Sequence, residues 1–226
     1  RLASSIMIDA SLESFDENVR LSRDVVHRAA GSGVLVEAEL GKLRGVEDAI
    51  ASDDAFYTDP DEAVEFVRRT GADLLAISIG TEHGVSKGKN ITLRLDLARE
   101  IQAKLAGAGL SVPLVLHGSS GLLPEQVKAV IRFGVRKLNK DTHYQYVYSR
   151  TACDFYRAHV ADIVPPEGTE DDVVNLFPGN SWSPDKKVFD PRVVGKVVQD
   201  GIRGIALALL EQAGSGGHTL GGEEDS

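Results

Sequence analysis

One cysteine, Cys153, one methionine and one tryptophan occur among the 226 residues, and aromatic residues make up only 6%. A single cysteine excludes an intrachain disulfide and with it a disulfide-stapled secreted scaffold; the expectation is a reducing, cytoplasmic setting. No run nears the roughly 18 apolar residues that a membrane-spanning helix needs, and no signal-peptide pattern opens the chain. Basic residues are scarce as well. Lys and Arg number 25 against 34 Asp and Glu, a formal net charge of −9. They are scattered, so the basic footprint that neutralises a phosphate backbone is missing and no nucleic-acid partner is expected. What is plentiful is apolar: 42% hydrophobic residues, enough to bury one sizeable core.

That apolar content is distributed in short runs. Ser5-Ile6-Met7-Ile8, Val34-Leu35-Val36, Leu74 to Ile79, Pro113-Leu114-Val115-Leu116 and Val135-Arg136-Lys137-Leu138 each have strand length. Four of them lack alternating polarity, the pattern of a parallel strand covered on both faces. A helical pattern follows each run. Ser14-Phe15-Asp16-Glu17 reads as a capping box, and Asp59-Pro60-Asp61-Glu62 repeats it with proline where its missing N–H costs nothing. Leu97, Ile101 and Leu105 form one helical stripe; Val127, Val130 and Ile131 form another that ends at Gly134.

Five βα units in succession imply a parallel sheet, either doubly wound or closed into an eight-stranded barrel. Every strand tip is polar or glycine-rich: Asp9-Ala10-Ser11, Glu37 to Gly41, Gly80 to Gly84, His117 to Gly121, and Asn139 to Thr142. An open sheet gathers its ligands at one switch point, whereas a barrel brings all tips to one mouth. The expected fold is therefore an α/β TIM barrel, (β/α)8, of which five of eight units are present, strands 4 to 8. Three units of about 30 residues each are expected to precede Arg1. An aromatic helix from Tyr144 to Tyr156, a Pro/Gly/Asp-rich loop from Pro165 to Pro184 and a last helix from Pro191 to about Glu211 complete an expected domain 1–212. The glycine-rich, acidic tail 213–226 is expected to be disordered.

His83 and His117 follow two successive strands, and a glycine follows each histidine. Two imidazoles at one mouth suit a catalytic metal, which takes about three protein ligands and leaves a position open. Glu37 and Glu39 share one strand face by the two-residue period, and Asp9 ends the first strand. The glycines and hydroxyls at Gly84, Gly118-Ser119-Ser120 and Asn139-Lys140-Asp141-Thr142 lie after the last three strands, and barrels often bind phosphate through backbone N–H groups of the loops after the last two. Lys137 is the lysine on a strand, so a Schiff-base nucleophile would be sought there. Cys153 is read as a small buried hydrophobe.

The segments SSIMIDAS, VEAELGKLRGVED, YTDPDEAVEFVRRTGADLLAISIGTEHG, VPLVLHGSSG and GVRKLNKDT together resemble successive segments of class II fructose-bisphosphate and tagatose-bisphosphate aldolases, from Ser4 to about Thr142. The resemblance implies cleavage or condensation of a ketose 1,6-bisphosphate on zinc, with a monovalent cation near the phosphate site and a homodimer or higher homo-oligomer. By it, His83 and His117 are zinc ligands, and Asp9 and Glu39 are carboxylates of an alternative or second metal position. Gly84, Gly118, Ser119, Ser120, Asn139, Lys140, Asp141 and Thr142 hold dihydroxyacetone phosphate. Glu47, on the mobile loop after the second strand, transfers a proton, and Arg192 reaches the far phosphate. The family's aspartate-histidine pair at the end of the third barrel strand has no counterpart in these residues, and Ser119 replaces a glycine of the usual His-Gly-Gly-Ser run. The competing readings are a Schiff-base aldolase using Lys137 and a non-catalytic partial barrel that binds metal or sugar phosphate.

Overall fold

A computed structural model describes residues 3–41, 44–47, 50–52, 57–83 and 92–218, the side chains of 44–47, 50–52 and His83 excepted. The chain divides into two compact units, Arg1–Lys140 and Asp141–Ser226.

The first unit is built on five parallel strands: β1 (Ser5–Ile8), β2 (Leu35–Leu40), β5 (Leu74–Ile77), β7 (Leu114–Leu116) and β8 (Val135–Leu138). They lie side by side in chain order. A doubly wound sheet reverses its order at a switch point, and an unreversed order is that of a barrel wall. Helices α1 (Phe15–Ala29), α2 (Pro60–Thr70), α3 (Leu95–Gly107) and α4 (Pro124–Arg132) make the crossovers. Their ends obey local chemistry. Ser14 accepts the Glu17 N–H, but the reciprocal half of the expected box is absent, because the Glu17 carboxylate is taken by Arg20. Asp59 accepts from Asp61 and Glu62, and α2 ends on the left-handed Gly71.

The strands divide their side chains between two faces. Ala38, Leu40, Leu75, Ile77, Leu114 and Leu116 pack with Phe66, Ile101, Leu105 and Val127 of the helices into the main core. Leu74, Ala76 and Val115 form a separate small cluster on the inner face. Complete burial of a leucine contributes about 1.5–3 kcal/mol, so the helix-facing layer carries most of the stability. The inner face is mixed, and its register aligns Glu39 with Ala76, Ala76 with Val115, and Val115 with Lys137.

Two elements depart from the sequence reading. β2 continues through Leu40, so Glu37 and Glu39 lie within the strand rather than beyond it. The region expected as a loop holds β3 (Arg44–Glu47) and β4 (Ile50–Ser52), an antiparallel pair joined by β6 (Glu82–His83) into a second, three-stranded sheet.

In the second unit, α5 (Thr142–Ala158) packs on α8 (Pro191–Gln212), with α6 (Val160–Ile163) and α7 (Lys186–Phe189) between them in sequence. Gly201 of α8 lies against Thr151 and Val147 of α5. Cys153 is exposed, contrary to expectation. At 100° per residue it sits on the side of α5 away from Thr151. The segment 165–184 has neither helix nor strand, and within it Phe177 meets Trp182 edge-on at 4.9 Å. Of the expected tail, residues 219–226 lie outside the described residues.

Candidate functional site

Glu37 is wholly buried on the inner face of β2, and three donors converge on its carboxylate. Oε1 lies 2.8 Å from His117 Nε2 and 3.4 Å from the Asn139 side-chain nitrogen, and Oε2 receives the Lys137 ammonium. Burial alone would push the carboxyl up. The hydrogen bonds from His117 and Lys137, with their charges, outweigh it and hold Glu37 below the usual carboxylate range. An ionised carboxylate only accepts. The Glu37 contact is satisfied by a proton on His117 Nε2, whereas the Asn139 side-chain nitrogen, 2.9 Å from the same ring atom, can donate to it only in the other tautomer; Glu37 and Asn139 thus compete for Nε2, and the charged carboxylate favours Nε2–H.

In the tautomer that serves Glu37, the unprotonated nitrogen of His117 is Nδ1, which faces Glu39 Oε2 at 3.8 Å. Both residues are buried, at 5% and 4% exposure. Two donors around a tetrahedral ion at about 2.1 Å stand roughly 3.4 Å apart, so a small adjustment would let them share one. Among the described residues no three His, Cys, Asp or Glu groups are gathered as a metal site. An imidazole backed by a carboxylate, with a second carboxylate beside it, nevertheless supplies two donors of the kind that divalent metals take.

The strands explain the convergence. His117 is two residues beyond Val115 and Asn139 two beyond Lys137, so the pleat carries all four to the inner face. Glu37 and Lys137 are on strands three steps apart in the sheet, roughly 14 Å along it at about 4.8 Å per strand. Their contact is a chord across a concave surface. On the other side of β2, the Asn18 amide donates to the Glu39 carbonyl at 2.9 Å, tying α1 to the strand behind the site.

The remaining sequence-derived residues are placed as follows. The backbone of His83 is in β6, beside Gly45 of β3; its side chain, that of Glu47 and all of Gly84 lie outside the described residues. Asp9 is exposed beyond β1 and accepts the Ser11 amide. Gly118, at φ +59°, begins a single 3-10 turn, Ser119–Gly121. Ser119 is fully buried and donates its hydroxyl to the Asn139 carbonyl at 2.9 Å, while the Lys140 ammonium binds the Ser119 carbonyl at 2.6 Å. Both act as struts joining the tips of β7 and β8, and Ser120 is half-buried in the same turn. Asp141 and Thr142 open α5 in the second unit, where the Asp141 carboxylate accepts from Gln145. Arg192 is exposed at the start of α8 and pairs with Asp190. Glu37 and Lys137, the hub of the cluster, drew attention in the sequence only as a carboxylate on a strand and a lysine on a strand.

The family model described as class II fructose-bisphosphate aldolase matches residues 1–218. The chain belongs to that family. It is 33% identical over 215 residues to the fructose-bisphosphate aldolase of Geobacillus stearothermophilus, covering 95% of this chain and 63% of the relative. Its identity with that of Thermus caldophilus is 42% over 170 residues, 65% of this chain and 54% of the relative. The chain thus spans less than two-thirds of the length of these curated relatives. Among solved structures, the YdjI aldolase of Escherichia coli K12 superposes with a TM-score of 0.65 at 29% identity, over 95% of this chain and 62% of that one. Fructose-bisphosphate aldolase from Campylobacter jejuni gives a TM-score of 0.71 at 26% identity, over 94% and 61%. The fold is accordingly that of the class II aldolase barrel, five of whose eight strands are in this chain. Enzymes of this family are generally metal-dependent. No helix among the described residues is long and apolar enough to cross a membrane.

Proposed function

We propose that the chain carries the metal-holding part of a zinc-dependent aldolase site that cleaves a ketose 1,6-bisphosphate, fructose 1,6-bisphosphate in the first instance, to dihydroxyacetone phosphate and glyceraldehyde 3-phosphate. The observation that carries this reading is the His117 ring, tied through Nε2 to buried Glu37 and turned through Nδ1 toward Glu39. His117 and Glu39 would hold the ion together with His83, which follows the neighbouring strand. When bound, zinc supplies Lewis acidity toward the substrate carbonyl.

The other tasks fall to the chain's own groups. Glu37 presents His117 in one ring orientation, so the ligand needs no reorganisation. The turn after Gly118 offers backbone amides and the Ser120 hydroxyl to a phosphate, and the Lys140 ammonium bound to the Ser119 carbonyl adds positive charge there. Glu47 is the proposed proton carrier. A Schiff-base route would require the Lys137 nitrogen free to attack a carbonyl, and here that nitrogen is engaged by the Glu37 carboxylate.

The test is cleavage of fructose 1,6-bisphosphate by this chain joined to the part of the Geobacillus relative that it does not cover, before and after chelation. Triose phosphate release that stops with chelator and returns with zinc is expected, and the 226-residue chain alone should be near background. Cleavage indifferent to chelator, or borohydride trapping of substrate on Lys137, would replace the metal reading with the Schiff-base one.

A further inference from the structure

We propose that Lys137 is a positioning residue for the metal site: by clamping one oxygen of Glu37 it fixes the carboxylate that fixes the His117 ring, and so sets how tightly the chain holds a divalent cation. The inference rests on the metal reading above and assigns a new role to a residue that touches neither ion nor substrate.

The geometry is a relay of three groups. Lys137 rises from β8 on the inner face, in register with the small residues Val115 and Ala76 of the neighbouring strands. Those residues leave room for its stem to cross toward β2. Its ammonium occupies Oε2 of Glu37, so Oε1 alone is left to meet His117. Glu37 is fully buried, whereas the Lys137 side chain is 36% exposed. The lysine therefore keeps part of its hydration while serving as counter-charge to a carboxylate that has none. A carboxylate held at both oxygens is restrained from rotating, and its Oε1 favours Nε2–H on the imidazole over the tautomer in which Nε2 accepts from the Asn139 amide. In that favoured form the lone pair is on Nδ1, toward Glu39. Without the clamp, Glu37 gains freedom to turn and the imidazole can exchange tautomers, and each of these changes withdraws the lone pair from the metal position.

The experiment is a zinc titration of the 226-residue chain against a chromophoric chelator, with Lys137→Met, Lys137→Arg, Glu37→Gln, the Lys137→Met/Glu37→Gln pair and His117→Ala. Lys137→Met should weaken zinc by about 10–100-fold, the usual reach of a group behind a ligand. Lys137→Arg keeps the charge and should recover most of the loss. The paired variant should bind no worse than Glu37→Gln alone, because both residues act through one carboxylate. In the zinc-free chain, long-range proton–nitrogen spectra should report the Nε2–H tautomer of His117 in the wild type and a mixture in Lys137→Met, a change that general loss of stability does not produce. Should Lys137→Met fail to fold, Lys137→Gln replaces it in the same cycle. Unchanged zinc affinity in the lysine variants while His117→Ala loses zinc, or losses for Lys137 and Glu37 that simply add, would overturn the role of Lys137 alone. Zinc binding by His117→Ala as tight as wild type would overturn the metal reading and this inference together.

Discussion

A Cβ on Gly118 would sit 2.6 Å from the carbonyl oxygen of Glu82 and 2.8 Å from its carbonyl carbon, and Gly118 itself is at φ +59°. The loop after His117 therefore lies directly on the backbone of β6, the strand that ends at His83. Only a residue without a side chain permits that approach, and only glycine adopts the conformation at no cost.

Gly118→Ala should accordingly destabilise the chain by about 1–3 kcal/mol, from left-handed strain and backbone collision together. On the metal site proposed above it should also weaken zinc binding, because the segments carrying the two histidines are forced apart. Thermal unfolding and zinc titration of the same sample check both; an alanine variant with wild-type melting temperature and zinc affinity would contradict the packing described.

Thr58 links two strand ends beyond the helix-facing core. It is 1% exposed; its hydroxyl donates to the Leu40 carbonyl and accepts the Ser78 N–H at 2.8 Å. Thr58→Val keeps the shape and removes both bonds, so a loss of about 2–4 kcal/mol is expected from two buried backbone groups deprived of this partner. Urea unfolding measures it, with Thr58→Ser recovering most of the loss.

The Glu37 carboxyl is held below its unfolded-state value. A depressed folded-state value means that the charged form contributes stability at pH above the ordinary carboxylate range. That contribution is lost as pH falls through this range toward the folded-state value. Glu37→Gln should thus lower stability at pH 7 and flatten the decline between about pH 5 and 3, since one fewer carboxylate titrates. Denaturant midpoints across that interval test the sign; an equally steep decline in the variant would remove Glu37 from the account.

Arg192 forms a bidentate pair with Asp190 at the exposed start of α8, and that pairing holds the Asp190 carboxyl well below its usual range. Exposed pairs of this kind contribute little to stability, so Arg192→Ala should leave the melting temperature nearly unchanged. If the family resemblance assigns this residue correctly, the barrel-completed protein carrying Arg192→Ala should lose affinity for fructose 1,6-bisphosphate and keep that for dihydroxyacetone phosphate. Equal losses for the two ligands would show that Arg192 does not address the far phosphate.

Much of the first unit was legible from local pattern. The apolar runs at Ser5, Leu74 and Val135 became strands starting at those residues, and the stripe Leu97, Ile101, Leu105 became α3 with Ile101 and Leu105 fully buried. Ser14 and Asp59 cap the helices they precede. Such features are decided within a turn or two of chain, so the residues on the spot suffice. Cys153 was misread because burial depends on which face of α5 is covered, and composition carries no information on that. The antiparallel strands Arg44–Glu47 and Ile50–Ser52 were misread because they are only four and three residues long and the partner that extends them into a sheet, β6, lies beyond an intervening helix and strand.

The sequence alone determined that Glu37 and Glu39 share a face, that His117 follows a strand on the Val115 side, and that Lys137 and Asn139 alternate in phase, because the two-residue pleat period is a local property. It did not determine that these five side chains meet. That required a sheet curved enough to bring β8 across to β2, so that residues 100 apart in sequence, Lys137 and Glu37, become partners. Curvature is set by the packing of four helices on the outer face of five strands and is written in no single segment. Only the tertiary structure, by closing that distance, turned a strand glutamate and a strand lysine into the support of the buried His117 ring.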